Sequence, residues 1–217
     1  MNKSFKKNSL HHKGEFLKES NETRKDIFNK LDLELNKFPD ESFTNIKTDI
    51  VITPKAYLGI CVHAIKYADP RKQSKNWSEV IGLLLGKLIE RSSIFPQVII
   101  QDCYPIGHGS ASYVEINEYA FLPELMSKNM VIVGWYHSHP SFGLFMSNED
   151  YNTQLRYQKQ WKHSVGLVVD PTLISSLNFG IDVFRLDSDD LKHFELTTYS
   201  LSGNFKPRSI NNLLGMV

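Results

Sequence analysis

Short, nearly continuous apolar runs recur along the middle of the chain and predict buried β-strands. Three of them are EVIGLLLGKLIE at residues 79–90, QVIIQDCYPIG at residues 97–107 and MVIVGWYHSH at residues 130–139. Runs of this kind are typical of strands that are covered on both faces. A fourth strand is predicted at HSVGLVVDP, and FGIDVFRL followed by LKHFELTTYS predicts a closing hairpin.

Helical periodicity occurs between these runs. Thr53 and Pro54 begin a stripe of apolar residues that ends at Ala68, which predicts a helix with a side-chain cap at its first turn. Two more helices are predicted at VEINEYAFLPELMSKN and SNEDYNTQLRYQKQW. Strands that alternate with helices predict an α/β fold, a sandwich whose mixed β-sheet is flanked by helices.

The beginning of the chain differs from this pattern. Residues 1–20 form a basic arm that is expected to be unstructured, and residues 21–38 carry a helical apolar stripe. That helix either packs on its own domain or offers its stripe to a partner. We therefore predict three parts: an N-terminal arm with an amphipathic helix over residues 1–49, one domain over residues 50–200, and a C-terminal tail over residues 201–217.

The composition of the chain limits the classes of protein to which it can belong. The chain has 217 residues, of which 41% are hydrophobic and 23% charged, and this suits one globular domain with a full core. Its formal net charge of +1 gives no reason to expect a nucleic-acid partner. We expect neither a signal peptide nor a membrane span. Two cysteines, Cys61 and Cys103, are too few for a disulfide framework, which favours a reducing, cytoplasmic location.

The strand at residues 130–139 ends in a pattern that suggests metal binding. His137 and His139 are two positions apart, so in an extended strand both imidazoles lie on one face. A lone pair of this kind is more often a surface or packing feature than a metal site. Ser147 and Asp150 follow after a turn, and by themselves they resemble a capping box that starts a helix.

Taken together, these residues suggest a catalytic zinc site. If Asp150 reaches the two histidines from the first helical turn, the three ligands leave a fourth tetrahedral position open for water. Zinc lowers the pKa of such a water to about 7. A proton acceptor outside the ligand set is also needed. Glu79, at the start of an apolar strand, is a candidate general base, although by itself such a residue is more often an ordinary strand end.

The same residues carry a family resemblance. Glu79 in EVIGLLLG, followed by HSHPSFGLFMSNED with ten residues between His139 and Asp150, resembles the signature of the JAMM or MPN-plus metalloproteases. The strings GWYHSHP, FG and NTQ are most similar to the branch of the proteasome-lid deubiquitinase and the signalosome deneddylase. The resemblance covers roughly residues 50–200 and implies that this segment is an MPN catalytic domain with a deaminase-like α/β sandwich.

The resemblance implies a role for each residue. His137, His139 and Asp150 would bind Zn²⁺, Glu79 would be the general base, and Ser147 would donate a hydrogen bond to the tetrahedral oxyanion. It also implies a zinc-dependent isopeptidase that removes ubiquitin or a ubiquitin-like modifier from lysine, with a proteasome-type partner. Two alternatives are a JAMM hydrolase of small sulfur-carrier conjugates or peptides, and a non-catalytic MPN scaffold, although scaffold relatives lack the ligands that this chain has.

The chain departs from close relatives in two places. Relatives have Gly-Cys-Trp-Leu-Ser where residues 143–147 read GLFMS, so Phe145 keeps an aromatic ring for recognition of the modifier tail but has no indole N–H. The chain also ends at Val217, before the C-terminal helical region of the lid subunit. This favours a stand-alone member of the family, such as an archaeal one.

A glycine-rich segment is predicted to bind the substrate tail. HGSASY follows a predicted strand, and its small residues predict a mobile loop with an accessible backbone. In the family that the chain resembles, this segment forms a β-hairpin that pairs with the modifier tail. The predicted tail-binding residues are therefore Gly107, His108, Gly109 and Ser110.

Overall fold

A computed structural model describes residues 17–26, 48–90, 96–109, 127, 129–187, 191–202, 205–207, 212–213 and 215. Its strands are β1 (Leu17–Lys18), β2 (Ile50–Ile52), β3 (Glu79–Ile89), β4 (Gln97–Gly109), β5 (Val131–Ser138), β6 (Val165–Val169), β7 (Ile181–Leu186), β8 (Phe194–Leu196) and β9 (Tyr199–Leu201). Its two helices with both ends described are α1 (Pro54–Tyr67) and α2 (Asn148–Gln160), and residues 21–26 are also helical.

The strands form one mixed sheet of nine strands. Its order is β8-β7-β6-β5-β3-β4-β2-β9, and β1 pairs with β4 outside this path. The pairs β2 with β4, β2 with β9, and β5 with β6 are parallel. The long central strands β3, β4 and β5 are antiparallel neighbours. The predicted α/β fold with a mixed sheet is therefore confirmed.

The alternation of side chains along β3 shows how the two faces of the sheet are covered. Val80 and Leu84 belong to the larger core cluster, which includes much of α1. Leu83 and Leu85 belong to a second cluster on the other face, against which Tyr157 of α2 packs. Since successive strand residues point to opposite faces, one nearly continuous apolar run serves both layers.

Most of the predicted elements are present. Thr53 caps α1, because its Oγ1 accepts a hydrogen bond from the backbone N–H of Ala56 at 3.2 Å. β7 and β8 form the predicted antiparallel hairpin. Residues 199–201 leave that hairpin, however, and pair in parallel with β2 near the opposite edge of the sheet. Most of the helix predicted at residues 114–129, and most of the one predicted at residues 21–38, lies outside the described residues.

The expectation of an unstructured arm through residue 20 was wrong for its last residues. Leu17 pairs with His108 and Lys18 with Gly107, and the Glu19 N–H donates to the Ile106 carbonyl at 2.7 Å. The physical reason is that β2 pairs only with the first part of β4. The far end of β4 therefore has an open edge, which β1 fills.

Glu19 ties this N-terminal strand to the core. Its side chain is buried, and its Oε1 lies 3.2 Å from Nε2 of the fully buried His63. Nδ1 of the same ring lies 2.9 Å from the hydroxyl of Tyr136. A carboxylate only accepts hydrogen bonds, so Nε2 of His63 carries the hydrogen, and Nδ1 of the neutral ring accepts from Tyr136. The three side chains form one buried network.

The two cysteines lie in the core. Cys61 and Cys103 are free thiols buried in the sheet–helix interface. Burial raises the pKa of the Cys61 thiol to about 12, so this side chain behaves as a small apolar group. Within the described part of the chain, no helix is both long and apolar enough to cross a membrane.

The contact between Glu19 and His63 generates a stability prediction. Glu19→Ala should lower the free energy of unfolding by about 1–3 kcal/mol, because it leaves a buried imidazole N–H without its acceptor. Urea unfolding at pH 7 measures this. Glu22→Ala is the matched control, since Glu22 lies on the same segment and is exposed. Equal unfolding midpoints for the two variants would contradict a tethering role for Glu19.

The same network predicts a loss of stability in acid. Burial lowers the pKa of His63, and in Glu19 the hydrogen bonds from His63 and Tyr67 outweigh the effect of burial and lower the pKa. Both groups therefore bind more protons in the unfolded chain. The contribution of His63 is lost as the pH falls below about 6.5, whereas that of Glu19 is lost only below about 4.5. Unfolding midpoints between pH 7 and pH 5 should fall less steeply in His63→Gln than in the wild type.

Candidate metal centre

The register between β3 and β5 brings the predicted site residues together. Ile81 pairs with His137, and the Val80 N–H donates to Ser138 Oγ at 2.9 Å. Residues two apart on a strand share a face, so Glu79 lies on the face of Ile81, and His139 on that of His137. The backbone N–H of His139 donates to the Val169 carbonyl at 2.9 Å, which continues the pairing past the end of β5.

Asp150 approaches the histidines from the first turn of α2. Nε2 of His137 lies 2.9 Å from Nε2 of His139 and 3.2 Å from Asp150 Oδ1. Nε2 of His139 lies 3.6 Å from Asp150 Oδ2. One ligand atom from each residue lies within 4.8 Å of the others, and all three side chains are buried. The only such cluster in the described residues is the one that the sequence predicted.

Ser147 and Asp150 form the capping box and belong to the site at the same time. The Asp150 N–H donates to Ser147 Oγ at 3.3 Å, and the Ser147 N–H donates to Asp150 Oδ2 at 2.7 Å. The cap fixes Asp150 at the start of the helix and leaves its Oδ1 directed at His137. The structural and the functional interpretations of this sequence pattern therefore describe the same geometry.

The environment moves the pKa values of the site residues in different directions. Burial raises the pKa of Asp150, but the hydrogen bonds from His137 and Ser147 outweigh it and hold the pKa at about 2. Burial and the neighbouring His137 lower the pKa of His139 to about 4. Near pH 7 the site therefore offers an ionised carboxylate and a neutral imidazole, the protonation states that bind a metal.

Glu79 has the opposite shift. Burial, reinforced by the charge of Asp150 and opposed by His137, raises the pKa of Glu79 to about 7. Its Oε2 is buried and has no hydrogen-bond partner in the described part of the chain. A half-buried carboxylate with a free oxygen and a pKa near 7 is suited to accept and return a proton.

The donor set fits a zinc ion. Two neutral imidazole nitrogens and one carboxylate oxygen converge, and this set of ligands is typical of catalytic zinc sites. Nδ1 of each histidine is buried without a hydrogen-bond partner among the described residues, so Nε2 is the atom that each ring presents to the cluster.

Two supporting residues were missed by the sequence reasoning. The Trp135 ring stacks on His137 at a centroid distance of 4.8 Å, and its Nε1 donates to Gln154 Oε1 at 2.8 Å. Gln154 is fully buried, one helical turn after Asp150. The spacing could have revealed both, because Trp135 is two residues before His137 on one strand face and Gln154 is four residues after Asp150 on one helix face.

The predicted tail-binding residues separate into two groups. Phe145 lies at the site, since its half-exposed ring is 4.8 Å from the ring of His139. His108 and Gly109 do not belong to a loop as expected. They follow Gly107 as the last residues of β4, because β3 pairs with all three on one side and β1 pairs with Gly107 and His108 on the other.

His108 also points away from the ligands. It pairs with Val80, whose side chain belongs to the core on the α1 face, and its ring stacks on Tyr67 at 3.8 Å. Glu79, one residue earlier on β3, points to the metal face. The side chain of His108 therefore lies on the face of the sheet opposite to the His-His-Asp cluster. Ser110 lies outside the described residues.

The structure is an α/β domain with a mixed sheet, helices on both faces and a buried His-His-Asp cluster that could hold a metal ion. Residues 46–162 match the family model described as JAB1/Mov34/MPN/PAD-1 ubiquitin protease. The match covers more than half of the chain and includes Glu79, Ser147 and the three ligands. The chain belongs to this family, as its sequence motifs predicted.

Similar proteins support the proteasome-lid branch. The chain is 30% identical over 146 residues to ubiquitin carboxyl-terminal hydrolase RPN11 of Saccharomyces cerevisiae, a match that covers 64% of this chain and 44% of that protein. It is 33% identical over 143 residues to 26S proteasome non-ATPase regulatory subunit 14 of Dictyostelium discoideum, with shares of 63% and 42%. It is 35% identical over 119 residues to 26S proteasome regulatory subunit RPN11 of Encephalitozoon cuniculi, with shares of 52% and 40%. The chain thus spans less than half the length of these relatives.

The ligand geometry generates a metal prediction. Protein purified without added metal should contain about one equivalent of zinc by elemental analysis, because the three ligand atoms already converge. The double variant His137→Ala, His139→Ala should lose the zinc. Full zinc retention in that variant would refute the assignment, and His193→Ala, which changes a histidine far along the chain on the loop before β8, should behave as the wild type.

Proposed function

We propose that the protein is a zinc-dependent isopeptidase that removes ubiquitin or a ubiquitin-like modifier from lysine. The observation that carries the proposal is the convergence of two imidazoles and one carboxylate beside Glu79, whose buried oxygen has no partner among the described residues. The family match and the name of the yeast relative support the substrate class. No substrate class follows from the ligands alone, because the same ligand set serves many hydrolytic reactions.

His137, His139 and Asp150 would hold the metal, and Glu79 would move the proton. Zn²⁺ bound there would supply a Lewis acid that lowers the pKa of water to about 7. Glu79 would take a proton from the attacking water, since its pKa of about 7 allows both states near neutral pH. It would then give that proton to the departing lysine amine. Glu79 would thus act first as general base and afterwards as general acid.

Ser147 would stabilise the oxyanion of the tetrahedral intermediate. Its Oγ accepts the hydrogen bond from Asp150, and a hydroxyl keeps one O–H to donate elsewhere. Ser147 also caps α2, and the positive end of a helix dipole favours negative charge at that place. Loss of one oxyanion donor typically costs about 10²-fold or more in kcat.

The modifier tail would enter along the line of β3. That strand begins at Glu79, opposite Gly109, so the tail would approach Glu79 from this end of the sheet and pair there with an extended backbone segment. Phe145 would cover the tail next to His139. Backbone pairing fixes the tail in one register, and alignment of the scissile carbonyl can lower the barrier by several kcal/mol.

We also propose a proteasome-type assembly as partner and the cytoplasm as location. The relatives from Dictyostelium discoideum and Encephalitozoon cuniculi are proteasome regulatory subunits by name. The two free, buried thiols suit a reducing compartment. A pull-down of assembled proteasomal particles with the tagged full chain tests this proposal.

A panel of substrates tests the function. The zinc-loaded protein is incubated with ubiquitin and ubiquitin-like modifiers joined to lysine, with sulfur-carrier conjugates, and with unmodified peptides. Cleavage of a modifier–lysine bond supports the proposal. Cleavage of only sulfur-carrier conjugates or peptides would reassign the substrate. If the zinc-loaded protein cleaves none of these substrates, the result favours the alternative of a non-catalytic scaffold.

The role of Glu79 generates a kinetic prediction. Glu79→Gln should keep zinc and the thermal unfolding temperature, since Glu79 is not a ligand, but should reduce kcat by at least about 10²-fold. Glu149→Gln is the matched control, because Glu149 is an exposed carboxylate on the same helix as Asp150. If Glu79→Gln turns over at the wild-type rate while zinc is bound, a different group is the base.

A further inference from the structure

Asp170 is a buried carboxylate that the proposed chemistry does not use. It follows β6 directly, and only 1% of its surface is exposed. Its own backbone is fixed, because its N–H donates to the Gly180 carbonyl at 2.9 Å and its carbonyl accepts from the Leu173 N–H at 3.1 Å. A buried charge at a rigid position requires several hydrogen-bond donors.

Two of the four described donors to Asp170 come from the loop that joins His139 to Ser147. Asp170 Oδ1 accepts from the Ser141 N–H at 3.1 Å, and Oδ2 accepts from the Gly143 N–H at 2.9 Å. Oδ1 also accepts from the N–H and the hydroxyl of Thr172 at 2.9 and 2.7 Å. We call residues 140–146 the connecting loop. Asp170 therefore joins this loop to the segment that follows β6.

The connecting loop needs such a support. Ser141 and Gly143 have φ angles of 66° and 94°, in the region that side chains rarely adopt. The loop has no helix or strand hydrogen bonds of its own over these residues. Charge-assisted bonds from a carboxylate to backbone N–H groups are stronger than neutral ones and can hold this backbone shape.

The end of the connecting loop leads directly to the reactive groups. The ring of Phe145 lies 4.8 Å from that of His139. Met146 packs against Gly166 on β6, where a Cβ would lie only 2.5 Å from the Met146 Cε. Ser147 follows at once as the cap of α2. The position of Ser147 relative to the ligands therefore depends on how the loop is held.

We propose that Asp170 is a positioning residue, which holds the connecting loop and thereby sets the place of Phe145 and Ser147 beside the metal centre. The inference rests on the proposed function in its catalytic part, because it assigns Ser147 to the oxyanion. Its structural part, the support of the loop by one carboxylate, is independent of which substrate the protein cleaves.

The hydrogen-bond pattern allows a selective variant. In Asp170→Asn the amide oxygen replaces Oδ1, which has three donors, and the NH₂ group then faces the Gly143 N–H. Two donors opposed in this way cannot bond, so this contact is lost while the size of the side chain is kept. Thr172→Val is the matched control, since it removes one bond to the same carboxylate and leaves both loop bonds intact.

The first experiment does not depend on activity. Backbone amide spectra and hydrogen exchange are measured on the zinc-loaded wild type, Asp170→Asn and Thr172→Val. In Asp170→Asn the Gly143 amide should lose its protection, and the amide shifts of Phe145 and Ser147 should move, whereas Thr172→Val should leave all three unchanged. If the amide shifts of Phe145 and Ser147 do not change in Asp170→Asn, the proposal is overturned. The effect of the substitution would then be confined to the turn that contains Ser141 and Gly143.

The second experiment asks whether Asp170 acts through Ser147. Asp170→Asn should lower kcat for a modifier–lysine conjugate by about tenfold or more, with zinc content unchanged, because small misplacements of a reacting group are costly. In the background of Ser147→Ala the same change should alter kcat by less than about twofold. If the reductions in kcat caused by Asp170→Asn and by Ser147→Ala multiply fully in the double variant, the two residues act independently and the proposal is overturned. Absence of any cleavage by the wild type would instead refute the proposed function, and the amide measurements would still decide the support of the loop.

Discussion

The antiparallel register of β3 and β5 is the constraint on which the site depends. Ile81 opposite His137 is the pairing that puts Glu79 on the same face as both histidines. A slip of one residue would turn every side chain of one strand to the other face and separate the base from the ligands. Gly82 helps to fix this register, because a Cβ there would lie 2.3 Å from the Tyr136 ring.

Tyr136 connects this register to the N-terminal segment. Its hydroxyl contacts His63 on α1, and His63 contacts Glu19 beside β1. The segment gains further contacts from Arg24, which donates from Nε to the Pro105 carbonyl at 2.8 Å and lies over the Tyr104 ring at 4.5 Å. Residues that precede the domain predicted from the sequence therefore support β5, the strand that contains His137.

Burial raises the pKa of the carboxylates at the site and lowers that of the imidazole, and hydrogen bonds outweigh burial only at Asp150. Asp150 gains enough hydrogen bonds to stay ionised, while Glu79 has a free oxygen and a raised pKa. Burial also keeps His139 neutral. The two carboxylates have pKa values of about 2 and about 7, and this difference agrees with the roles proposed for them, Asp150 as a ligand and Glu79 as a proton carrier.

The sequence alone predicted the central strands, the N-terminal caps of α1 and α2, and the residues of the His-His-Asp cluster, because each depends on local spacing. A period of two places His137 and His139 on one strand face, and a capping box places Asp150 at a helix start. The same local signals wrongly predicted that His108 and Gly109 belong to a loop, since glycine is typical of loops. The sequence could not show that β1 pairs with this end of β4, because strand pairing at an edge depends on which backbone groups remain open after the sheet has formed.

The tertiary structure alone decided which buried charges support the site. Glu19 with His63, and Asp170 with the loop that contains Ser141 and Gly143, have no signal in the sequence. Their partners lie 44, 29 and 27 positions away along the chain. No periodic sequence pattern indicates hydrogen bonds between residues so far apart. Local backbone geometry sets the spacing of neighbours along the chain, whereas the meeting of distant polar groups is set by the packing of whole strands and helices.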